Sequence, residues 1–358
     1  MVIIIGAGLS GLVTAYRLKQ ANIPFKILEA KETVGGRIST KTTENETPIE
    51  MGATWFGRQH QNLNSLLNEL HLKPFRQYHG EYYFYDDQNS SHHGKYKLPH
   101  QEPSYRIAGG SFSLINTLAE RIGEDNILTS HTVEEIKAYE DKLTLKINNE
   151  KTIQADQIII SVPPKIWVNQ IQFEPELPAA LTETAKNTQT WMEDSIKAAV
   201  EFSEPFWKEN QLPSTIMSNY GPFVECYDHT NQQENKFALC GFLNPAFKEI
   251  KKEEREQLVI QQLSSILGEK VREAKSYLEY IWSEDDQVKW PKDIFMQPHQ
   301  NNGHPIFRNP FFNHRLIISS SESASLFPGY MDGAVEAGEN AFKQVFDKIK
   351  QEQNQQLN

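Results

Sequence analysis

The chain has 358 residues, too many for one small core and about right for two domains; 38% of them are hydrophobic and 23% charged, as in ordinary soluble proteins. No apolar run approaches the ~20 residues that cross a bilayer, and the first residues, MVIIIGAG, have neither the basic start nor the cleavage site of a signal peptide. Cys226 and Cys240 are the only cysteines, which argues against a secreted disulfide framework, and a formal net charge of −11 disfavours nucleic acid and favours cationic small molecules, so a cytoplasmic protein is expected.

In chain order, VIII (2–5) reads as a short buried strand, SGLVTAYRLKQA (10–21) as an amphipathic helix and FKILEA (25–30) as a second strand, together a βαβ unit. Residues 31–57 are glycine-rich and loop-like. QNLNSLLNEL (61–70) is a helix, and 81–98 is a hairpin whose polar turn holds His92 and His93. That pair has no acidic or cysteine partner at ligand spacing, so no metal site is expected. GGSFSLINTLAERI (109–122) is helical, and the β-rich segment after it ends in QIIISVPP (157–164), where two prolines stop the strand. SIKAAVEF (195–202) alternates as a strand does, EEREQLVIQQLSSILGE (253–269) is an amphipathic helix, and RLIISSS (315–321) is the last strand. The tail from Lys350 is polar and expected to be disordered. No boundary is sharp, so the two domains interleave in sequence.

Between the first strand and helix, Gly6, Gly8 and Gly11 stand in G-x-G-x-x-G spacing, and Glu29 ends the second strand. Gly6 allows the tight turn, Gly8 lets backbone approach a pyrophosphate, and Gly11 lets helix and strand pack closely. The helix N-terminus attracts the phosphates, while Glu29 accepts hydrogen bonds from an adenosine ribose and disfavours the 2′-phosphate of NADP. Gly35, Gly36 and Arg37 follow. They can add a backbone approach and a guanidinium for the pyrophosphate, although an ordinary glycine turn with a surface arginine has the same pattern. Near the other end, FPGYMDGAVEAG (327–338) has helical spacing yet carries Gly329, Gly333 and Gly338. Glycine inside a helix costs about 1 kcal/mol relative to alanine, so something must approach this backbone closely.

The blocks GAGLSGL…ILEAKETVGGR, IEMGATWFG and GYMDGAVEAGE, in this order, resemble the FAD-dependent amine oxidase family of the monoamine oxidase type. YRIAGGS (105–111), ISVPP (160–164) and SIKAAVEFSEPFW (195–207) extend the resemblance over most of the chain. It implies an α/β fold, with a Rossmann-like FAD-binding domain of the GR2 flavoprotein type at 1–76, 105–185 and 298–358. An interleaved α+β substrate domain on a mainly antiparallel sheet would occupy 77–104 and 186–297. The resemblance also implies a site. Gly6, Gly8, Ser10, Gly11, Leu12, Glu29, Ala30, Gly36 and Arg37 would hold the nucleotide. Val133 would meet adenine through its backbone, and Glu322 would sit near the pyrophosphate or ribityl chain. Gly52, Ala53 and Thr54 would line the flavin, with Trp55 facing the substrate. Trp290 would stand near the flavin, with core packing as the alternative for that residue. The C-terminal helix would aim its positive end at the flavin ring, with Met331 N–H as donor, Gly329 permitting the approach, and Gly333 and Gly338 packing beneath the cofactor. Tyr330 would stand on the substrate side. Lys197 would reach through a water toward flavin N5; the alternative is a surface lysine on a half-exposed strand.

Departures from the family pattern bear on the substrate. Only 77–104 stands where the family has a much longer helical lid, so a more open site is expected. Neither cysteine lies where some members tether their flavin, so FAD is expected to be non-covalent. QNNGHPIF (300–307) lacks the second tyrosine of the family's aromatic sandwich, Ser320 replaces a glycine, and Arg58 replaces a proline. The implied activity is oxidation of an amine: the C–H next to nitrogen gives hydride to flavin N5, the imine is released, and O2 takes the electrons to form H2O2. A small-molecule amine and O2 are the expected partners, without nucleic acid or membrane, and a homodimer is left open. The alternatives are a renalase-like oxidase of reduced nicotinamide forms, a carotenoid-type desaturase, a non-redox flavin isomerase and a flavin-binding scaffold.

Overall fold

The computed structural model describes residues 1–87, 94–139, 142–148, 151–209, 211–289 and 296–357. His92, His93 and Trp290 therefore lie outside the described residues. At the centre is a five-stranded parallel sheet in the order Leu316–Ile318, Gln157–Ile160, Val2–Ile5, Phe25–Leu28, Ile127–Leu128. Both of its faces are covered, which is why its strands read as unbroken apolar runs rather than as alternation. Ile4, Ile27, Ile159 and Ile317 point to one side, onto the helices Leu9–Gln20, Phe112–Ile122 and Met331–Leu357. Ile3, Leu28, Ile158 and Ile160 point to the other, onto a four-stranded sheet that includes Val133–Tyr139 and Lys142–Ile147. The expected βαβ unit is present. The strands expected over 157–164 and 315–321 end sooner, at Ile160 and Ile318, because Ser161, Val162, Pro163 and Ser321 leave the ladder to line a cleft.

A second sheet has seven strands in the order Ser276–Ile281, Ile196–Phe202, Phe237–Leu243, Phe223–Asp228, Thr215–Ser218, Tyr82–Asp86, Gly94–Lys97. Its pairs are antiparallel except Thr215–Ser218 beside Tyr82–Asp86. The helix Lys252–Leu267 covers one face through Val259, Leu263 and Leu267. The other face carries Lys197, Phe242, Glu225 and Met217 as one cross-strand row, with Ala199, Cys240, Tyr227, Thr215 and Tyr83 as the next. The half-exposed strand considered for 195–202 is thus corrected: all of Ile196–Phe202 is buried. The small side chain of Ala199 admits Ile49 and Met51, which roof this part of the face over Ala199, Ala238 and Cys240.

One further expectation is revised. The polar tail does not leave the fold as a disordered strand of chain; the C-terminal helix runs from Met331 to Leu357. Lysine, glutamate and glutamine are good helix formers, and no glycine or proline interrupts them there. Gly333 and Gly338 line neither cavity, and each is crowded by protein atoms. A Cβ at 338 would stand 2.7 Å from the Ser10 carbonyl oxygen and 2.8 Å from Val13 Cβ, and one at 333 would stand 2.3 Å from the Phe327 carbonyl oxygen. The first helix and the turn before residue 331 are what approach so closely. Asp332 binds a third element: its carboxylate accepts from Leu63 N–H at 2.8 Å and from Asn62 Nδ2 at 3.0 Å, capping the helix Gln61–Glu69. Among the described residues no helix is long and apolar enough to cross a membrane.

Candidate active site

A cleft of about 1140 Å³, counting space open to solvent, opens at the carboxyl ends of the parallel strands, where Gly6, Glu29 and Ser161 follow them. Open α/β sheets bind ligands at such ends. Gly6 has φ +102°, a conformation that glycine alone adopts freely. Gly8 precedes the helix in extended backbone with no side chain capping it, and a Cβ there would meet nothing within 4 Å, because it would project into the cleft. A Cβ on Gly11 would instead stand 2.1 Å from the Gly6 carbonyl oxygen, so Gly11 serves the packing of helix on turn. Glu29 Oε2 accepts from Ala7 N–H at 2.7 Å and Oε1 from Lys31 N–H at 3.0 Å. Burial pushes its pKa up, against the opposing pull of those two donors.

Arg37 lies in the same cleft and is tied to Glu322. Nη1 stands 2.6 Å from Glu322 Oε1, and Nη2 donates to Ser321 Oγ at 2.9 Å. Ala30, Gly36 and Val133 also line the cleft. Ser10 lines it too, but its hydroxyl is engaged by Ser319, 2.8 Å away Oγ to Oγ. Leu12 does not reach it, being fully buried in the core beside the parallel sheet. Ser161 lines the cleft as well, and its Oγ is buried without a protein hydrogen-bond partner. An uncapped helix start, a guanidinium and a carboxylate along one groove fit a dinucleotide.

A second cavity, about 1390 Å³ counting space open to solvent, lies over the face of the seven-stranded sheet that carries Lys197. Gly52, Thr54 and Trp55 line it together with Lys197, Tyr227 and Phe242. Ala53, Trp191, Met192, Gly329, Tyr330 and Met331 line both cavities, so the two share a wall. The start of the C-terminal helix therefore meets both spaces. Gly329, at φ +86°, makes the turn into it.

Aromatic rings converge on that wall. Tyr330 has ring centroids at 5.9 Å from Trp191 and 5.6 Å from His299, both near parallel, and Trp191 stacks on His299 at 4.7 Å. Trp55 packs edge-on to Tyr227 at 5.1 Å and is held by its indole N–H, which donates to Gln77 Oε1 at 3.1 Å. Lys197 is fully buried. Its ammonium donates to the Gly52 carbonyl oxygen at 2.6 Å and to Thr54 Oγ1, and stands 4.6 Å from the Trp55 ring centroid. Burial pushes its pKa down, while the nearby Cys240 and Glu50 oppose the fall.

Sequence reasoning missed Trp191, Met192, His299, Tyr227 and Phe242. Trp191 had a usable signal, since TQTWMEDS directly precedes the lysine strand. Tyr227 and Phe242 had none, because their place on the cavity floor follows from strand pairing with Lys197 and not from local sequence.

Comparison with known proteins agrees with this geometry. The family model described as flavin containing amine oxidoreductase matches residues 9–105 and 91–345. A probable flavin-containing monoamine oxidase A of Dictyostelium discoideum is 23% identical over 97% of this chain and 98% of that protein. That alignment takes 453 positions against 358 residues here, so the shortness of this chain lies within the match. A putrescine oxidase of Kocuria rosea is 22% identical over 84% of this chain and 85% of that protein. Among solved structures, wild-type putrescine oxidase bound to putrescine superposes with TM-score 0.83 at 21% identity, over 97% of this chain and 98% of the other. Cyclohexylamine oxidase from Brevibacterium oxydans gives 0.84 at 18%, over 98% and 99%. At such identities the structures show the shared fold, and the family match supplies the rest: the chain is an oxidoreductase that belongs to the flavin-containing amine oxidoreductases.

Proposed function

We propose that the chain is an FAD-dependent oxidase of a small amine. The observation that carries this is the shared wall: a dinucleotide-shaped cleft and an aromatic cavity meet at Ala53, Trp191, Met192 and Gly329–Met331. FAD, when bound, supplies the acceptor for the two electrons of the C–H beside the amine nitrogen and passes them to O2, giving H2O2. Glu29 binds the ribose, the helix start at Gly8 and Arg37 face the pyrophosphate, and Val133 meets the adenine. Glu322 acts through Arg37, whose orientation it fixes. Met331 brings the positive end of the C-terminal helix to the shared wall. Tyr330, Trp191 and Trp55 hold the amine and exclude water, so that it reacts in a fixed orientation. Segments 1–76, 105–185 and 298–358 carry the cofactor in this reading, and 77–104 and 186–297 the substrate.

The flavin is held without a covalent bond. Both cysteines are free and fully buried, on the strands Phe223–Asp228 and Phe237–Leu243, and neither lines either cavity. Acid precipitation should leave the yellow colour in the supernatant; colour in the pellet would refute this. Anaerobic mixing with a panel of amines, amino acids and NADH tests the function. Amines should bleach the flavin, and bleaching by NADH alone would favour the nicotinamide alternative.

Glu29→Ala should weaken FAD binding at least tenfold, because a charge-assisted hydrogen bond contributes about 1.5–3 kcal/mol. The variant also frees Ala7 N–H and Lys31 N–H from their acceptor. Unchanged affinity on titration with FAD would remove Glu29 from the ribose.

A further inference from the structure

Trp191 and Met192 belong to the wall that the two cavities share, and the backbone there is strained. Met192 has φ +78°, a left-handed conformation that a long side chain rarely adopts and that persists only where the surroundings impose it. Met192 is also buried, so the bend is not a loose surface turn. Two polar contacts hold it. Before the bend, Arg37 Nη1 donates to the Trp191 carbonyl oxygen at 3.3 Å. After it, Glu193 Oε2 accepts from Lys165 Nζ at 2.5 Å. Lys165 belongs to the helix Pro164–Gln170, which follows the parallel strand Gln157–Ile160. Lys165 and Glu193 are 6% and 3% exposed, and neither lines a cavity, so the pair touches neither occupant.

An ion pair this deeply buried contributes little net stability, because desolvation of the two charges offsets their attraction. What it adds is geometry: an ammonium and a carboxylate must meet at hydrogen-bond distance, whereas an apolar contact adapts to small shifts. We propose that Lys165 is a positioning residue that, through Glu193, holds the strained bend at Met192 and so fixes Trp191 against Tyr330 and His299 at the place where the amine reacts. The proposal rests on the amine-oxidase function above. A left-handed methionine relaxes toward negative φ once its restraint is released. Such a rotation at Met192 turns Trp191 relative to the strand Ile196–Phe202, so the ring at the wall moves while the strand stays. A displacement of about 1 Å in a group that orients a substrate costs about a hundredfold in rate.

The test separates position from stability. Lys165→Met combined with Glu193→Leu replaces the pair by apolar side chains. The flavin-free double variant should unfold in urea at the wild-type midpoint or above it, whereas Lys165→Met alone, which leaves a buried carboxylate unpaired, should unfold earlier. Trp191→Phe identifies the near-ultraviolet circular dichroism band of Trp191 in the flavin-free protein, and the stable double variant should lose that band. With FAD bound, anaerobic flavin reduction is followed at saturating putrescine, cyclohexylamine or benzylamine, whichever bleaches wild type fastest. It should slow roughly ten- to a hundredfold in the double variant, while FAD affinity and reoxidation by oxygen keep their wild-type values. Glu193→Gln, which keeps the volume and an acceptor for Lys165, should retain both the band and the fast reduction. A double variant with the wild-type band and reduction rate would make the pair ordinary packing and overturn the proposal. So would a double variant less stable than wild type, or equal losses in reduction, reoxidation and FAD affinity, which mean general damage. Bleaching of wild type and double variant at one rate would leave the oxidase function standing; bleaching of wild type by none of the three amines would overturn function and proposal together.

Discussion

Lys197→Met should leave flavin reduction by an amine near the wild-type rate and slow reoxidation by oxygen by roughly ten- to a hundredfold, the scale of 1.4–2.7 kcal/mol. The argument is electrostatic. Oxygen takes its first electron with a developing negative charge, and a fixed cation in a dry cavity stabilises that charge far more than water would. Lys197 is the lysine lining the aromatic cavity, and its ammonium is anchored beside the shared wall by Gly52 and Thr54. Methionine keeps most of the volume. It does not leave the Gly52 carbonyl oxygen unmet, since Thr54 Oγ1 donates to it at 2.9 Å, so the fold should survive the exchange. A pH profile adds a second reading. Burial lowers the pKa of Lys197, so the cation that speeds oxygen reaction is present at low pH and is lost as pH rises through that lowered value. The oxygen rate of the wild type should therefore fall with rising pH before an ordinary lysine would deprotonate, and the methionine variant should lack that limb. Equal reoxidation rates in the two proteins, measured by stopped flow, would leave Lys197 a packing residue.

How far this site was legible in the sequence depends on the range of the interactions that form it. The turn Gly6–Gly11 and the acid at Glu29 are local features of one βαβ unit, and the structure places both on the cleft. The burial of Lys197 was not legible. Its strand alternates like a half-exposed one, and the roof that covers it comes from Ile49 and Met51, some 150 positions away in the chain. The aromatic neighbours of Tyr330 were hidden for the same reason. The missing tyrosine of 300–307 drew attention to that segment, whereas the rings beside Tyr330 come from Trp191 and His299, both of which precede it in sequence. The glycines of the last helix show the converse. Close approach was correctly inferred from their cost, but the approaching group is the first helix at Gly338 and a carbonyl at Gly333, which composition has no means of identifying. The helical tail follows intrinsic propensity, and polarity alone misjudged it.

Gly8→Ala and Gly11→Ala, three residues apart, should fail in different ways. At Gly8 the backbone is in an ordinary extended conformation with φ −75°, and the added methyl would meet no protein atom within 4 Å. The flavin-free protein should therefore keep its stability to within about 0.5 kcal/mol, as substitutions that touch nothing do. The methyl would occupy the space that the pyrophosphate needs, however, and forcing a methyl into a filled space costs about 1–3 kcal/mol, so FAD affinity should fall about ten- to a hundredfold. At Gly11 the methyl would overlap the Gly6 carbonyl oxygen at 2.1 Å, an atom of the turn itself. Helix and turn must separate, so the flavin-free protein should lose about 1–3 kcal/mol, and flavin affinity should fall as well because the turn that presents the N–H groups is displaced. Urea titrations of the flavin-free proteins, paired with FAD titrations, distinguish the two cases. If Gly8→Ala bound FAD as tightly as wild type, the cofactor would not pass over this turn, and the assignment of the cleft would fall with it. If both variants lost stability equally, the free space beside Gly8 would belong to packing, and the fit of the cleft to a dinucleotide would lose its strongest support.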